Sequence, residues 1–239
     1  MSDSIITISG VNRIFSSASG DFQALKDINA EIPGGVLTIL KGRSGSGKTT
    51  LLNIIGALDT PTSGSVFIQG QNIGKMTEKQ RENLRRVQIG FVFQSVSLIP
   101  SMNAFQNVEF SMRLAGINKG REERVRECLK MVGLGSRMNH MPAEMSGGEQ
   151  QRVAIARALA KNPKIILGDE PTGALDSETG VIVLELLQKM CREKGCTVIL
   201  VTHNAEIAQC ADKVIRMKNG KIREVKLNEN PLSVREVEW

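Results

Sequence analysis

Short apolar runs rich in β-branched residues alternate with polar stretches near both ends of the chain. Residues 36–40 (VLTIL) and 198–201 (VILV) are apolar almost throughout, which is typical of strands buried in a sheet. Residues 165–167 form a similar run, and residues 214–217 and 221–225 flank an Asn-Gly turn as a terminal hairpin. Further strands are predicted at residues 5–8, 66–68 and 89–93, with a Ser/Gly-rich turn at residues 16–20.

The middle of the chain carries helical periodicity instead. From Ser95 to about Ala160 the pattern predicts a helical insertion between sheet strands. Its clearest part is an i, i+3, i+4, i+7 spacing of apolar side chains, at Val125, Cys128, Leu129 and Val132. Helices are also predicted at residues 49–55 and 178–192. The organisation is therefore one α/β domain over residues 1–226, with a helical subdomain at about 95–160 and a tail of weak periodicity at 227–239.

A glycine-rich loop follows the strand at 36–40 and precedes a helix. It fits the G-x-x-x-x-G-K-[ST] pattern, in which successive backbone N–H groups surround phosphates, the lysine reaches the β and γ groups and the last hydroxyl binds Mg²⁺. A glycine turn of no function is the alternative, and the strand and helix around the loop argue against it. The residues predicted to contact a nucleotide here are Gly42, Arg43, Ser44, Gly45, Ser46, Gly47, Lys48, Thr49 and Thr50.

Two adjacent carboxylates, Asp169 and Glu170, end the strand at 165–167. Since side chains alternate along a strand, we expect the two to point in different directions and to take different roles. Asp169 suits a Mg²⁺ shell, and Glu170 suits a base that polarises the attacking water. The alternative is the start of a solvated loop.

Three more polar residues follow strands or begin a helix. Gln94 ends the strand at 89–93, where its amide could contact both Mg²⁺ and water, and His203 follows the strand at 198–201, where it could donate to a γ-phosphate or its water. Asp176 could cap a helix or contact another subunit. Any one of them alone would more often be an ordinary polar loop residue.

A second phosphate-binding device is predicted near residue 146. Ser146 and Glu149 match an S-x-x-E capping box, so a helix should begin there. The free N–H groups and positive dipole of a helix start favour an anion, and Gly147 and Gly148 let it approach the backbone. An ordinary capped helix is the alternative.

The composition of the chain argues against several other classes of protein. The chain has 239 residues and a net charge of +6, but its basic residues are mixed with acids, it has no tyrosine, and no basic run is interleaved with aromatics, so nucleic-acid binding is not expected. The longest uncharged stretch, residues 87–108, contains Pro100 and several polar residues and is no membrane span. Residues 1–4 lack the features of a signal peptide. Four cysteines without a C-x-x-C pair suggest buried free thiols in a reducing compartment.

Together these motifs resemble the nucleotide-binding subunit of an ATP-binding cassette (ABC) transporter, over residues 5–225. In family terms, residues 42–49 resemble the Walker A loop, Gln94 the Q-loop, residues 146–150 the signature, residues 165–170 the Walker B strand with its glutamate, residues 173–176 the D-loop and His203 the switch histidine. The resemblance implies a P-loop NTPase fold of the ABC type, with a parallel-rich core sheet, an antiparallel β part and a helical subdomain.

Finer motifs resemble the macrolide-exporter and lipoprotein-release branch, notably residues 52–59, 90–94 and 169–176. The chain departs from the family at Met145, where leucine is usual, at Glu149, where glutamine is usual, and at Gly168, where alanine is more frequent. The adenine-stacking tyrosine is also absent. Phe15 sits about where it belongs, with Phe22 as the fallback, and a phenyl face can still stack.

The resemblance implies an ATPase that couples ATP hydrolysis to transport or mechanical work across a membrane, as part of an exporter or a mechanotransmission system. It also implies Mg²⁺ as a cofactor and a head-to-tail homodimer that holds each ATP between two chains. It also implies a separate transmembrane permease that keeps the protein at the cytoplasmic face of the membrane. An apolar cluster at Val96, Leu98, Ile99 and Met102 is a candidate docking surface for that permease, with a plain subdomain core as the alternative. There are three alternatives to an exporter or lipoprotein-release function: a cell-division ABC complex that regulates a wall hydrolase, a solute importer, and a soluble ABC protein of translation or DNA maintenance. The last is disfavoured, because there is only one motif set and no sustained heptads.

Overall fold

This computed structural model describes residues 4–18, 20–173, 175–204 and 206–237. Within these residues the protein consists of two β-sheets and six α-helices. The strands are β1 Ser4–Ser17, β2 Gly20–Pro33, β3 Leu37–Lys41, β4 Ser63–Ile68, β5 Gln71–Asn72, β6 Ile89–Val92, β7 Ile165–Asp169, β8 Thr197–Thr202, β9 Lys213–Lys218 and β10 Lys221–Leu227. The α-helices are α1 Lys48–Ile55, α2 Glu78–Gln88, α3 Ala104–Leu114, α4 Arg121–Met131, α5 Gly147–Ala160 and α6 Ser177–Lys194.

The larger sheet has six strands in the order β10-β9-β3-β8-β7-β6, all parallel except the edge strand β10. Its central strands are buried on both faces, which is why their sequences are apolar throughout. The smaller sheet is antiparallel, in the order β2-β1-β4-β5. The parallel-rich core sheet and the antiparallel part are therefore both confirmed.

Two hydrophobic clusters lie on opposite faces of the larger sheet. One joins Ile166 and Val198 of the sheet to α3, α4, α5 and α6, and the other joins Leu167 and Ile199 to α1 and the smaller sheet. Neighbouring residues of one strand thus enter different clusters, as the alternation of a strand requires. All four cysteines are buried free thiols, as predicted.

The prediction of helix from Ser95 to about Ala160 is only partly correct. Helices α3, α4 and α5 lie within it, but residues 95–103 and 132–146 are irregular apart from a 3₁₀ turn at Pro142–Glu144. The sequence pattern predicts neither strands β2 and β5 nor helix α2. Strand β2 has several bulges in its pairing with β1 that break its alternation, and α2 buries only Leu84 and so has hardly any apolar stripe.

The C-terminal segment is packed against the domain. Val234 begins a 3₁₀ turn and is fully buried in the cluster that contains α6. Arg235 forms a two-point ion pair with Glu185 of α6, at 2.7 and 3.0 Å. Glu238 and Trp239 of the predicted tail lie outside the described residues, as do Met1 to Asp3 and Ala174 of the motif at 169–176. Among the described helices, none is both long and apolar enough to cross a membrane.

Candidate functional site

The glycine-rich loop connects β3 to α1 at the carboxyl end of the larger sheet. Gly47 is the N-cap of α1 and has a φ of 99°, a conformation that favours glycine. A Cβ on Gly42 would lie 2.4 Å from the carbonyl oxygen of Met217, so only glycine fits against β9 there. The turn between β9 and β10 supports the loop from behind, because the Gly220 N–H donates to Ser46 O at 3.1 Å. The sequence pattern predicts only a hairpin turn there and no role in the site.

The Lys48 side chain contacts the backbone of the glycine-rich loop. Its Nζ donates to the carbonyl oxygens of Gly42 (2.8 Å) and Arg43 (3.0 Å). Burial lowers the Lys48 pKa from its usual value, and the nearby carboxylates of Glu170 and Asp169 partly offset that effect. The Ser46 hydroxyl is buried and has no hydrogen-bond partner among the described residues. A buried hydroxyl without a partner at the start of a helix, beside the Lys48 ammonium, fits a binding site for the phosphates of a nucleotide.

Asp169 stands beside the loop, as predicted for a carboxylate at the end of β7. Its Oδ2 accepts a hydrogen bond from Thr49 Oγ1 at 2.8 Å. Burial raises the Asp169 pKa and the Thr49 hydrogen bond opposes that rise. Oxygen donors of this kind are the ligands that Mg²⁺ prefers, so Thr49 and Asp169 fit the predicted metal role.

Glu170 contacts the two other polar residues predicted from strand ends. Its Oε2 accepts from Gln94 Nε2 at 3.3 Å, and its Oε1 lies 3.0 Å from His203 Nδ1. Asp169 and Glu170 do have different partners, but simple strand alternation is not the reason. Glu170 has a φ of 48°, outside the extended region, so the chain turns at this residue.

One cleft of about 410 Å³ brings most of the predicted residues together. It is lined by the loop from Gly42 to Thr50 and by Gln94, Asp169, Glu170 and His203, with Phe22 and Ala24 from β2 and Val201 from β8. Ser146, Gly147, Gly148, Glu149, Asp176 and Phe15 are not among its lining residues. The single chain therefore gathers one part of the predicted site and leaves the other part elsewhere on its surface.

The helix start at Ser146 forms the capping box that the sequence predicts. Ser146 Oγ accepts from the Glu149 N–H at 3.2 Å, and Glu149 Oε2 accepts from the Ser146 N–H at 2.9 Å. The backbone hydrogen bond from Ser146 lowers the Glu149 pKa. A Cβ added to Gly147 would meet nothing within 4 Å, so the backbone there is open to an approaching group.

Asp176 caps α6 in this structure. Its carboxylate accepts from the Thr179 N–H at 2.9 Å and from the Thr179 hydroxyl at 3.0 Å. These two hydrogen bonds lower the Asp176 pKa. The helix-cap interpretation is thus confirmed, and the subunit contact stays a prediction.

The two candidate adenine-stacking residues face each other across β1 and β2. Phe15 pairs directly with Phe22 in the strand register, so both side chains lie on the same face of the smaller sheet. Phe15 is 41% exposed and Phe22 is 63% exposed. The Arg13 guanidinium lies 4.3 Å from the Phe15 ring centroid and is held by Asp59 at 2.8 Å. Phe22, the fallback, is the one that lines the cleft.

Comparison with known proteins places this geometry in a family. Residues 25–173 match the family described as ABC transporter. An uncharacterised ABC transporter ATP-binding protein of Methanocaldococcus jannaschii is 46% identical, covering 92% of this chain and 99% of that protein. A lipoprotein-releasing system ATP-binding protein of Caulobacter vibrioides is 42% identical, covering 93% and 98%.

Longer proteins match over the same region. A macrolide export ATP-binding/permease protein of a Shewanella species is 45% identical over 93% of this chain, which spans only 34% of that protein. Among solved structures, a dimeric ATP-binding cassette of Methanocaldococcus jannaschii, bound to ADP and phosphate after hydrolysis, superposes with a TM-score of 0.88 at 41% identity. That likeness covers 93% of this chain and 98% of the solved one.

Proposed function

The chain belongs to the ABC transporter family of ATP-hydrolysing subunits, and on that premise we propose that it powers an exporter or lipoprotein-release system as a dimer docked on a separate permease. The observation that carries the proposal is the meeting of Gln94, Glu170 and His203 beside the phosphate loop in one cleft. Relatives at 42–46% identity include lipoprotein-releasing, syringafactin export and macrolide export proteins, which favours this class over the importer and cell-division alternatives.

ATP is the substrate, and the loop binds its phosphates. The N–H groups at the start of α1 and the Ser46 hydroxyl donate to phosphate oxygens, and Lys48 exchanges its two backbone carbonyls for the β and γ groups. Thr49, Asp169 and Gln94 would hold Mg²⁺ there. When bound, the metal neutralises charge on the β- and γ-phosphate oxygens.

Glu170 acts as the base in hydrolysis. Its carboxylate orients a water and takes a proton from it as the water oxygen attacks the γ-phosphorus and the bond to the β-phosphate oxygen breaks, leaving ADP and phosphate. Gln94 and His203 hold Glu170 from two sides at 3.3 and 3.0 Å. Because Nδ1 faces the Glu170 carboxylate, it carries the proton of the neutral ring, and Nε2 can accept a hydrogen bond from the attacking water; donation from Nε2 to the γ-phosphate requires the doubly protonated ring.

A second copy of the chain completes the site. Ser146, Gly147 and Gly148 form a helix start that is not part of the cleft. The backbone is open at Gly147, and the N–H groups there suit a triphosphate. A head-to-tail pair would place the signature of one chain against the nucleotide of the other and exclude water from it. Asp176 and the cap of α6 would lie near that interface.

Mixing two inactive variants tests the composite site. A Lys48→Ala chain keeps its signature and a Ser146→Arg chain keeps its loop, so a mixed head-to-tail dimer contains one intact site. We expect ATPase activity to appear on mixing, up to about half the wild-type activity per mixed dimer. If the mixture stays as inactive as either variant alone, both functional halves act within one chain and the dimer proposal is wrong.

The permease docks beside Gln94, which keeps the protein at the cytoplasmic face of the membrane. The segment after Gln94 carries Val96, Ile99 and Met102, all partly exposed. Leu98 packs against the subdomain core, so at this one position the core alternative is supported. An apolar surface next to a γ-phosphate-sensing glutamine would couple nucleotide state to the membrane partner.

A further inference from the structure

One buried glutamine bridges the two strand ends that carry the candidate catalytic side chains. Gln151 lies in the second turn of α5 and is only 1% exposed. Its Nε2 donates to the carbonyl oxygen of Phe93 at 3.2 Å and to that of Pro171 at 3.1 Å. Each acceptor is adjacent in sequence to a residue of the cleft, Phe93 to Gln94 and Pro171 to Glu170.

The two chain segments that Gln151 joins are also linked by a direct contact between the side chains of Gln94 and Glu170. Gln94 Nε2 donates to Glu170 Oε2 at 3.3 Å. The segments leaving β6 and β7 are therefore tied twice, once behind the cleft by Gln151 and once inside it. We infer that Gln151 is a positioning residue that fixes the separation of Gln94 and Glu170, an inference that rests on the hydrolytic role proposed for Glu170.

The chemistry of the site requires an amide here. Both hydrogens of Nε2 are used, one for each carbonyl, and rotating the amide would bring its oxygen against two other oxygens. The Oε1 atom is buried without a partner among the described residues, so donation is the function of this side chain. A hydrophobic residue of the same length would remove the hydrogen bond from both carbonyls, one of them buried, and a carboxylate would repel both.

The position of Gln151 on α5 adds a consequence. The same helix begins at Ser146, the residue proposed to meet the nucleotide of a second chain. The helix that begins at Ser146 therefore also binds, through Gln151, the carbonyl of Pro171, the residue after Glu170 of the same chain.

The test compares two buried glutamines that make the same kind of bridge. Gln188 of α6 is 6% exposed, and its Nε2 donates to the carbonyls of Cys210 (2.8 Å) and Leu232 (3.2 Å), neither of them in the cleft. Gln151→Met and Gln188→Met should both lower the unfolding midpoint. Only Gln151→Met should lower kcat, by about tenfold or more, with the ATP dissociation constant within about twofold of wild type.

A wild-type kcat in Gln151→Met, or an equal loss of kcat in both variants, would overturn the inference. If Gln151→Met does not fold, Gln151→Asn replaces it. The asparagine keeps the donor but is one methylene too short to reach both carbonyls, and kcat should again fall while ATP binding is kept. An unchanged kcat in a folded Gln151→Asn would count against the bridge.

A double variant separates positioning from general stability. Gln94→Ala removes the contact between Gln94 and Glu170. In that variant, Gln151→Met should reduce kcat by a markedly smaller factor than it does in the wild type. An undiminished factor means that Gln151 acts elsewhere. Glu170→Gln reports separately on the hydrolytic role, so an inactive Glu170→Gln beside an active Gln151→Met would refute only the positioning inference.

Discussion

Nδ1 of His203 lies 3.0 Å from Oε1 of Glu170, so a histidine that follows β8 holds a carboxylate that follows β7. The left-handed backbone of Glu170, with a φ of 48°, makes this contact possible by turning the chain at the end of the strand. Such a conformation in a residue other than glycine costs on the order of 1–3 kcal/mol and often marks a functional site. Gln94 and His203 thus hold the Glu170 carboxylate from two sides.

Truncation of the two candidate adenine-stacking residues should show whether Phe15 or Phe22 stacks on the base. Phe15→Ala should weaken nucleotide binding by about 1–3 kcal/mol, because a stacking ring is lost, with little change in the preference for ATP over ADP. Phe22→Ala is the matched comparison, since the two rings are paired across β1 and β2. If titration calorimetry shows that only Phe22→Ala raises the dissociation constant, Phe22 is the stacking residue.

A charge at Ile99 should uncouple the permease. Ile99 is partly exposed after Gln94, so Ile99→Asp should leave solution ATPase activity intact and abolish co-purification with the membrane subunit. Leu227→Asp is the control, because Leu227 is 65% exposed and ends β10 at the opposite edge of the larger sheet. An insoluble Ile99→Asp protein, or one that still binds the permease, would contradict docking at this surface.

Stability should fall at alkaline pH because of three buried thiols. Burial raises the pKa of Cys128 to about 11 and of Cys191 and Cys196 to about 12, from an ordinary value of 9.0. Between pH 9 and those values the unfolded state loses thiol protons that the folded state keeps, so the free energy of unfolding decreases as pH rises.

Replacing these three cysteines together with alanine should flatten that part of the curve. Urea denaturation of the triple variant and the wild type from pH 8 to about pH 11 measures the difference, and other groups that titrate in this range are common to both. Parallel curves would show that the thiols do not ionise differently in the two states.

Much of the fold and of the site could be predicted from local patterns. The strands at 36–40 and 198–201 are apolar because both faces are buried, and the loop between Gly42 and Thr49 is defined by residues that are contiguous in sequence. The capping box at Ser146 likewise depends on only four consecutive residues. Local chemistry of this kind is visible without a structure.

Other features depend on contacts between distant segments. Phe22 lines the cleft because β2 pairs with β1. Bulges in that pairing interrupt the alternation of apolar and polar residues by which a strand is predicted from sequence. Gln151 looked like one more polar residue of a helix, whereas its partners Phe93 and Pro171 lie 58 and 20 residues away along the chain. A buried glutamine in an otherwise apolar helix face was the signal that could have found it.

The most direct test of the proposed chemistry is single-turnover ATP hydrolysis by Glu170→Gln, with Glu185→Gln as the control. Glu185 lies on α6, away from the cleft, and pairs with Arg235 of the C-terminal segment. Glu185→Gln should therefore leave the hydrolysis rate unchanged. Glu170→Gln should still bind ATP, accumulate as an ATP-bound dimer, and lose about two to four orders of magnitude in hydrolysis rate, because the base is gone. Turnover at the wild-type rate in Glu170→Gln would contradict the assignment of Glu170 as the hydrolytic base.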